Sequence, residues 1–578
     1  MSISQEALDH IESLIDEECP FPSYLPGQRN IISRCVHAYV EGKEYVVLEA
    51  GTGTGKSGIG YVIGKVVSQL INEEQLNKIG ELGGTSGTII TKTRVLQKQY
   101  DDTMPPGSVG VLWGKAHYSD VPEDHDGKVC KCANSCPGMT YDHSPIDCPY
   151  LLAFRAYLSR DTVGVTNNAM YLAAPIFRDD TSCLVVDEAH KFPDSLVDAA
   201  SLELCSYRLL KMMEEYQLEG TGYMVSCVEY ERGFGDGRIP VKKLHTHLTN
   251  LHGFLEAQVG PELDQAKAAA MSVLTGDTAS GMKIAKKFDR ARSFIDNVAK
   301  AIKTILRSSG IDNPQDMWIA FRDEGGEKVI EGTDVKIPVI EIKPLNPPVT
   351  ILDTVRTPFS VYMSATIDYE QFIEDMRLDK DAGTYVVFES PFPVENRKVM
   401  DLGLAGMNYS NREELLGKNG IFASALIKFA NKHAGERGLI HSVSYSNARL
   451  INELLYRAGF NVHTPKSGVV IDRAYVEALG KDVIIISPAM MEGVDLKDDL
   501  CRWQVILKVP YPSMGSSWVK AKMQYSDTWY NSQAQLDIMQ MCGRPVRHMT
   551  DYATTYVLDS NFRRLSWPDW FKKTIIST

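Results

Sequence analysis

The stretch Glu49-Ala50-Gly51-Thr52-Gly53-Thr54-Gly55-Lys56-Ser57 constrains this chain more than any other. It follows the apolar run Tyr45-Val46-Val47-Leu48 and precedes a helix-like segment over 58–70, so strand, glycine-rich loop and helix stand in order. Glycines let successive N–H groups turn onto a phosphate chain, and the helix start adds its positive dipole end. Lys56 offers a point charge to the outer phosphates and Ser57 a hydroxyl to magnesium. Gly51, Thr52, Gly53, Thr54 and Gly55 are therefore expected to cradle nucleotide phosphates. The strict pattern wants Gly where Ala50 stands, a small departure because that residue only begins the turn.

At 578 residues the chain is too long for one core, and about three or four domains are expected. The net charge of −13 repels phosphate overall, so any nucleic-acid contact requires local basic patches. No basic head precedes an apolar leader, and no apolar run approaches the roughly 20 residues that span a bilayer. The expectation is a cytosolic protein with no membrane partner, in a bacterial or phage-type setting. Eleven cysteines in so long a chain make no disulfide scaffold, and clustered ones read as metal ligands.

Upstream of the loop, Gln28 begins a run with Ile31, Ile32, Cys35, Val36 and Tyr39 at helical spacing. In isolation it reads as an exposed helix residue; its place before the loop suits an amide reading an adenine edge. Downstream, Thr88-Ile89-Ile90-Thr91 reads as a buried strand running into Lys92-Thr93-Arg94, a turn suited to nucleic-acid phosphates or to a solvated helix start. Between 105 and 148 the chain turns rich in Pro, Gly, Asp and His and carries Cys130, Cys132, Cys136 and Cys148. Four thiolates within nineteen residues can converge on an iron-sulfur cluster or on zinc. His117, Asp120, His125 and His143 could substitute as ligands, and Cys130 and Cys132 need not both bind.

The run Cys183-Leu184-Val185-Val186 ends in Asp187-Glu188-Ala189-His190, the layout of a parallel strand whose carboxyl end faces a ligand. Asp187 can hold magnesium, and Glu188 can orient and deprotonate a water. Amphipathic patterns over 244–255 and 284–306 read as helices with solvated faces. Phe359-Ser360-Val361-Tyr362-Met363 leads into Ser364-Ala365-Thr366. Further on, strands near 438–444 and 482–487 alternate with helices, implying a second parallel sheet. Glu492, Gly493 and Asp495 follow it. Near the end stands Gln540-Met541-Cys542-Gly543-Arg544-Pro545-Val546-Arg547, whose arginines three apart are expected on one helix face, positioned to stabilise a transferring phosphoryl group.

This order of motifs resembles the XPD/DinG (Rad3-like) family of iron-sulfur superfamily 2 DNA helicases. One departure stands out: Gly114-Lys115-Ala116-His117-Tyr118 is similar to the family's motif before its first cysteine, yet Ser119 and Asp120 follow here. The resemblance implies an α/β fold of two RecA-like motor domains, with an inserted metal-cluster domain and a helical arch-like insert. The expected boundaries are 1–104, 161–200 and 345–389 for motor domain 1, 105–160 for the cluster insert, 201–344 for the arch and 390–578 for motor domain 2. His190, Gln540, Glu492, Gly493 and Asp495 take on roles at the ATP site by the same resemblance. Implied with them are ATP, Mg2+ and a 4Fe-4S cluster with zinc as its rival. The implied activity is ATP-dependent unwinding by a monomer moving 5′ to 3′ on single-stranded or forked DNA. Two alternatives stay open: a nucleic-acid-dependent translocase that strips proteins or acts on RNA, and a zinc-stabilised nucleic-acid scaffold with a degenerate ATP site.

Overall fold

The uninterrupted apolar runs become strands buried on both faces, as parallel sheets covered by helices require. The computed structural model describes residues 5–51, 53–79, 86–114, 117–118, 149–173, 175–179, 181–273, 278–308, 317–322, 327–329, 336–466, 469, 471, 473–488 and 496–577. Seven parallel strands form the first sheet, in the spatial order Gly383–Phe388, Tyr45–Ala50, Phe359–Ser364, Thr181–Asp187, Ser86–Thr91, Val163–Asn167, Val109–Val111. Phe359–Ser364 lies between the loop strand and the acidic strand, with Ser364 opposite Glu49 and Met363 opposite Asp187. The phosphate loop, the Ser-Ala-Thr turn and the acidic pair thus leave one carboxyl edge, where ligands sit in open parallel sheets.

A second parallel sheet, also of seven strands, follows the order Val462–His463, Ile484–Ser487, Gly438–His441, Trp503–Ile506, Ala553–Asp559, Arg397–Ala405, Ile575–Ser577. The two sheets are the α/β lobes that the motif order implies.

The stretch expected to be a helical arch is mixed. Helices Ser206–Glu215, Thr221–Arg232, Val241–Phe254, Gly260–Ser272 and Thr278–Ser308 pack over a four-stranded antiparallel sheet ordered Leu202–Leu204, Ile340–Pro344, Trp318–Arg322, Gly237–Ile239. Strands of three to five residues are too short for a two-residue period to stand out. At the cysteine-bearing segment, rings from both flanks meet. Tyr118 lies 5.8 Å from Trp113 and 5.7 Å from Tyr150, centroid to centroid, and Tyr150 stacks at 6.2 Å on Phe154. The residues on either side of that segment therefore meet at one aromatic root.

Two consecutive helices of the second lobe dock onto the rest. From Ser517–Tyr525, Trp518 Nε1 donates to the Pro344 carbonyl at 2.9 Å, and Lys522 Nζ donates to Asp375 Oδ1 at 3.0 Å and to Asn346 Oδ1. Next to Trp529–Cys542, Thr528 Oγ1 donates to Gln371 Oε1 at 2.8 Å; within that helix, Ser532 Oγ donates to Asp368 Oδ2 at 2.8 Å. Lys191 Nζ returns the contact, reaching Gln533 and Asp537 at 3.1 Å each. Both Lys522 and Asp375 are buried, and burial pushes the Asp375 carboxyl up against the pull of the lysine. Removing one partner of such a pair strands the other charge. Lys522→Ala is therefore expected to lower stability by about 3–5 kcal/mol in a denaturant titration, and Asp375→Ala in the same chain to recover part of the loss.

Candidate functional site

In the phosphate loop Gly53 and Gly55 take φ values of 79° and 74°, the left-handed region that favours glycine. A Cβ on Gly53 would also stand 1.7 Å from Phe392 Cζ, because the connector between the lobes lays that ring on the loop. Thr54 Oγ1 donates to the Gly51 carbonyl at 2.7 Å. Gln28 is buried, unlike the exposed helix residue that its isolated context suggests. Its Oε1 accepts from Leu25 N–H at 2.9 Å, while Nε2 donates to the carbonyls of Thr54 at 3.4 Å and Gly55 at 3.2 Å. Both ends of its amide hold backbone around the loop. Glu49, at the loop's entry, accepts from Trp570 Nε1 of the second lobe at 3.1 Å and from the Tyr385 hydroxyl.

Asp187 is buried at its strand end. Its Oδ1 accepts from Glu188 N–H at 3.0 Å and its Oδ2 from the Tyr100 hydroxyl at 3.1 Å. Burial, then the neighbouring Glu188 charge, raise this carboxyl against the pull of Lys56. Glu188 itself turns through φ 56°, which lifts its side chain off the strand direction. His190 Nδ1 lies 2.9 Å from Ser364 Oγ and 3.4 Å from Glu188 Oε2. Burial first, then Lys191, Lys92 and Lys56, hold its imidazole well below the usual range, so it is neutral. From the facing lobe Gln540 Nε2 donates to Thr366 Oγ1 at 3.0 Å and to Glu188 Oε2 at 3.4 Å. A polar chain thus joins the acidic pair, the Ser-Ala-Thr turn and the second lobe.

Arg544 and Arg547 do not lie on one helix face. The helix Trp529–Cys542 stops before them because Pro545 disfavours helical geometry at the residue preceding it. They sit on the turn beyond, where Asp551 accepts the N–H of Arg547 at 3.0 Å. Even so, the structure brings Lys56, Ser57, Asp187, Glu188, Gln540, Arg544 and Arg547 to the wall of one cleft of about 1060 Å³ between the lobes. Arg94, Lys98 and His117 line the same cleft. Thr52, Glu492, Gly493, Asp495, Asp120, His125, His143 and the four clustered cysteines lie outside the described residues. The motif reading missed Tyr100, Phe392 and Trp570. Only Tyr100 left a local signal, an aromatic three residues beyond Gln97 on the helix Arg94–Thr103.

Residues 471–578 match the model of the helicase C-terminal domain family. The ATP-dependent DNA helicase CHL1 of Candida albicans is 24% identical over 153 residues, 22% of this chain and 16% of that protein. The human regulator of telomere elongation helicase 1 is 29% identical over 101 residues, 14% of this chain and 8% of that protein. The chain thus spans less than a fifth of the length of the curated relatives it matches. These relatives are eukaryotic and lend no support to a bacterial or phage-type setting. The structure of Xpd4 from S. tokodaii superposes with a TM-score of 0.54 at 14% identity, covering 96% of this chain and all of that one. Two parallel-sheet lobes flanking a phosphate loop, with inserts in the first lobe, are the fold this chain shares with that XPD structure. Within the described residues the fold resembles that of XPD structures, and the matched stretches are similar to helicases of the XPD/Rad3 kind. Among the described residues no helix is long and apolar enough to cross a membrane.

Placing an L side chain at left-handed φ costs about 1–2 kcal/mol, before the Phe392 ring has to move. Gly53→Ala is therefore expected to weaken nucleotide binding by roughly tenfold or more in calorimetry. Phe392→Ala added to it should restore only part, since the backbone term remains.

Proposed function

We propose that this chain is an ATP-dependent DNA helicase that moves 5′ to 3′ on single-stranded DNA as a monomer and opens duplex or forked DNA. The observation that carries the reading is the split site, with the phosphate loop and acidic pair on one lobe and Gln540, Arg544 and Arg547 on the other wall of the same cleft. The family resemblance and the names of the curated relatives support DNA as the substrate.

In this reading the N–H groups of 51–55 and the Lys56 ammonium hold the phosphates, and Thr52 completes the cradle. Gln28 reads adenine by exchanging its bonds to the Thr54 and Gly55 carbonyls for bonds to the base. Ser57 and Asp187 offer the hard oxygen donors that magnesium takes, on one cleft wall, so the site fits that ion. Bound there, it would neutralise charge on the outer phosphates. Glu188 orients the attacking water and takes its proton. Arg544 and Arg547 stabilise charge on the transferring phosphoryl group, with Glu492, Gly493 and Asp495 completing the second lobe's face. Neutral His190 keeps Glu188 and Ser364 in fixed relation, and Gln540 carries the state of that pair to the second lobe. Closing and opening of the cleft against a strand held by backbone phosphates then produces steps along it.

Lys56→Ala is expected to lower ATP hydrolysis by at least roughly a hundredfold, with strand separation lost in parallel. Duplexes of DNA and RNA carrying either overhang test the substrate and direction. Hydrolysis without strand release would sink the helicase reading in favour of a translocase.

The cysteine-bearing segment is assigned an iron-sulfur cluster on Cys130, Cys132, Cys136 and Cys148. Two observations support this: the flanks of the segment meet at Tyr118 and Tyr150, and the other seven cysteines are free and placed elsewhere in the fold. The purified protein should be brown, absorb near about 400 nm, and contain iron. A colourless protein with stoichiometric zinc overturns the assignment.

A further inference from the structure

The helix Arg94–Thr103 carries two fully buried side chains three residues apart, Gln97 and Tyr100. Positions i and i+3 share a helix face, so both point into the lobe while Arg94, Lys98 and Gln99 line the cleft. Gln97 Nε2 donates to the Leu112 carbonyl at 2.9 Å, and its Oε1 accepts from Asn167 Nδ2 at 3.4 Å. Leu112 is followed by Trp113, whose N–H donates to the Tyr118 hydroxyl at 3.0 Å. Gln97 therefore ties the helix to the aromatic root that flanks the cysteine-bearing segment. One turn on, the Tyr100 hydroxyl donates to Asp187 Oδ2 at 3.1 Å.

A phenol in this dry interior has no need of its oxygen for packing, since phenylalanine fills nearly the same volume. Burying the hydroxyl costs free energy unless it is bonded, and its partners are the carboxylate proposed to hold magnesium and, beside it, the Ser57 hydroxyl. Glu188 N–H fixes the other oxygen of that carboxylate. One donor on each oxygen sets the carboxylate plane, as outer-shell partners do at metal sites generally. Tyr100 is thus bonded to a carboxylate on the cleft wall and carried by a helix whose other face lines the same cleft.

We propose that Tyr100 is a positioning residue that fixes the orientation of Asp187 toward magnesium, and that the helix Arg94–Thr103 makes this orientation sensitive to nucleic acid held at the turn Lys92-Thr93-Arg94 that begins it. The inference rests on the helicase reading for its nucleic-acid half and on the Asp187 geometry alone for its metal half.

Tyr100→Phe tests it while keeping the core filled, with the thermal midpoint as control. ADP binding is measured by calorimetry with magnesium and with chelator. The gain in affinity that magnesium brings should fall roughly tenfold in the variant, the scale of one hydrogen bond to a charged group, while affinity in chelator stays unchanged. In hydrolysis assays the half-saturating magnesium concentration should rise, the KM for ATP at saturating magnesium should hold, and the stimulation by single-stranded DNA should shrink. Gln97→Leu should shrink the stimulation and leave the magnesium gain intact. A Tyr100→Phe protein with the wild-type magnesium gain and stimulation overturns the proposal, leaving Tyr100 as packing. If the wild-type chain shows the magnesium gain but hydrolyses no ATP with DNA present, the helicase reading fails while the metal half stands or falls on the calorimetry.

Discussion

Gln540 reaches from the second lobe to Thr366 and Glu188 of the first, and the geometry around the cleft depends on that crossing. Through it the acidic pair, neutral His190, the Ser-Ala-Thr turn and the arginine-bearing turn share one arrangement. Each such bond contributes about 1 kcal/mol net, somewhat more where a carboxylate accepts. That is small enough to be exchanged when a nucleotide arrives. The Lys522–Asp375 pair is different in kind, because separating buried charges costs several times as much. The helix Ser517–Tyr525 is therefore the fixed point of the lobe interface, and Gln540, on the following helix, the exchangeable contact.

Much of the site was legible because its signals are local. A fully apolar strand followed by glycines, Lys56 and Ser57 has few other structural meanings, and Asp187-Glu188 gains its meaning from an apolar strand directly before it. The lobes were legible for the same reason. The shape of the arginine turn was less so. Spacing alone puts Arg544 and Arg547 on a helix face, and only weighing Pro545 as a stop places them on the turn after it.

What escaped was set by distance along the chain. Phe392 on Gly53 and Trp570 on Glu49 join residues more than three hundred positions apart, and no periodicity announces either. The small antiparallel sheet of the insert gathers strands from 202 to 344, each too short to register, so the long helices dominate the reading. Gln28 shows a subtler limit. Its identity was meaningful, but the amide is spent on the loop's own carbonyls, which only the packed structure reveals.

The place of the loop strand in its sheet also bears on how the chain is made. Tyr45–Ala50 is flanked by Phe359–Ser364 and Gly383–Phe388, so it has no neighbour in the sheet until more than three hundred further residues have been synthesised. During translation this apolar strand waits unpaired while the whole insert emerges, and such late, distant pairings are slow and exposed to aggregation. The architecture that sets the phosphate loop beside its distant partners thus makes a strand synthesised well before those partners one of the last to be secured, and makes the nascent chain dependent on whatever shields that strand in the interval.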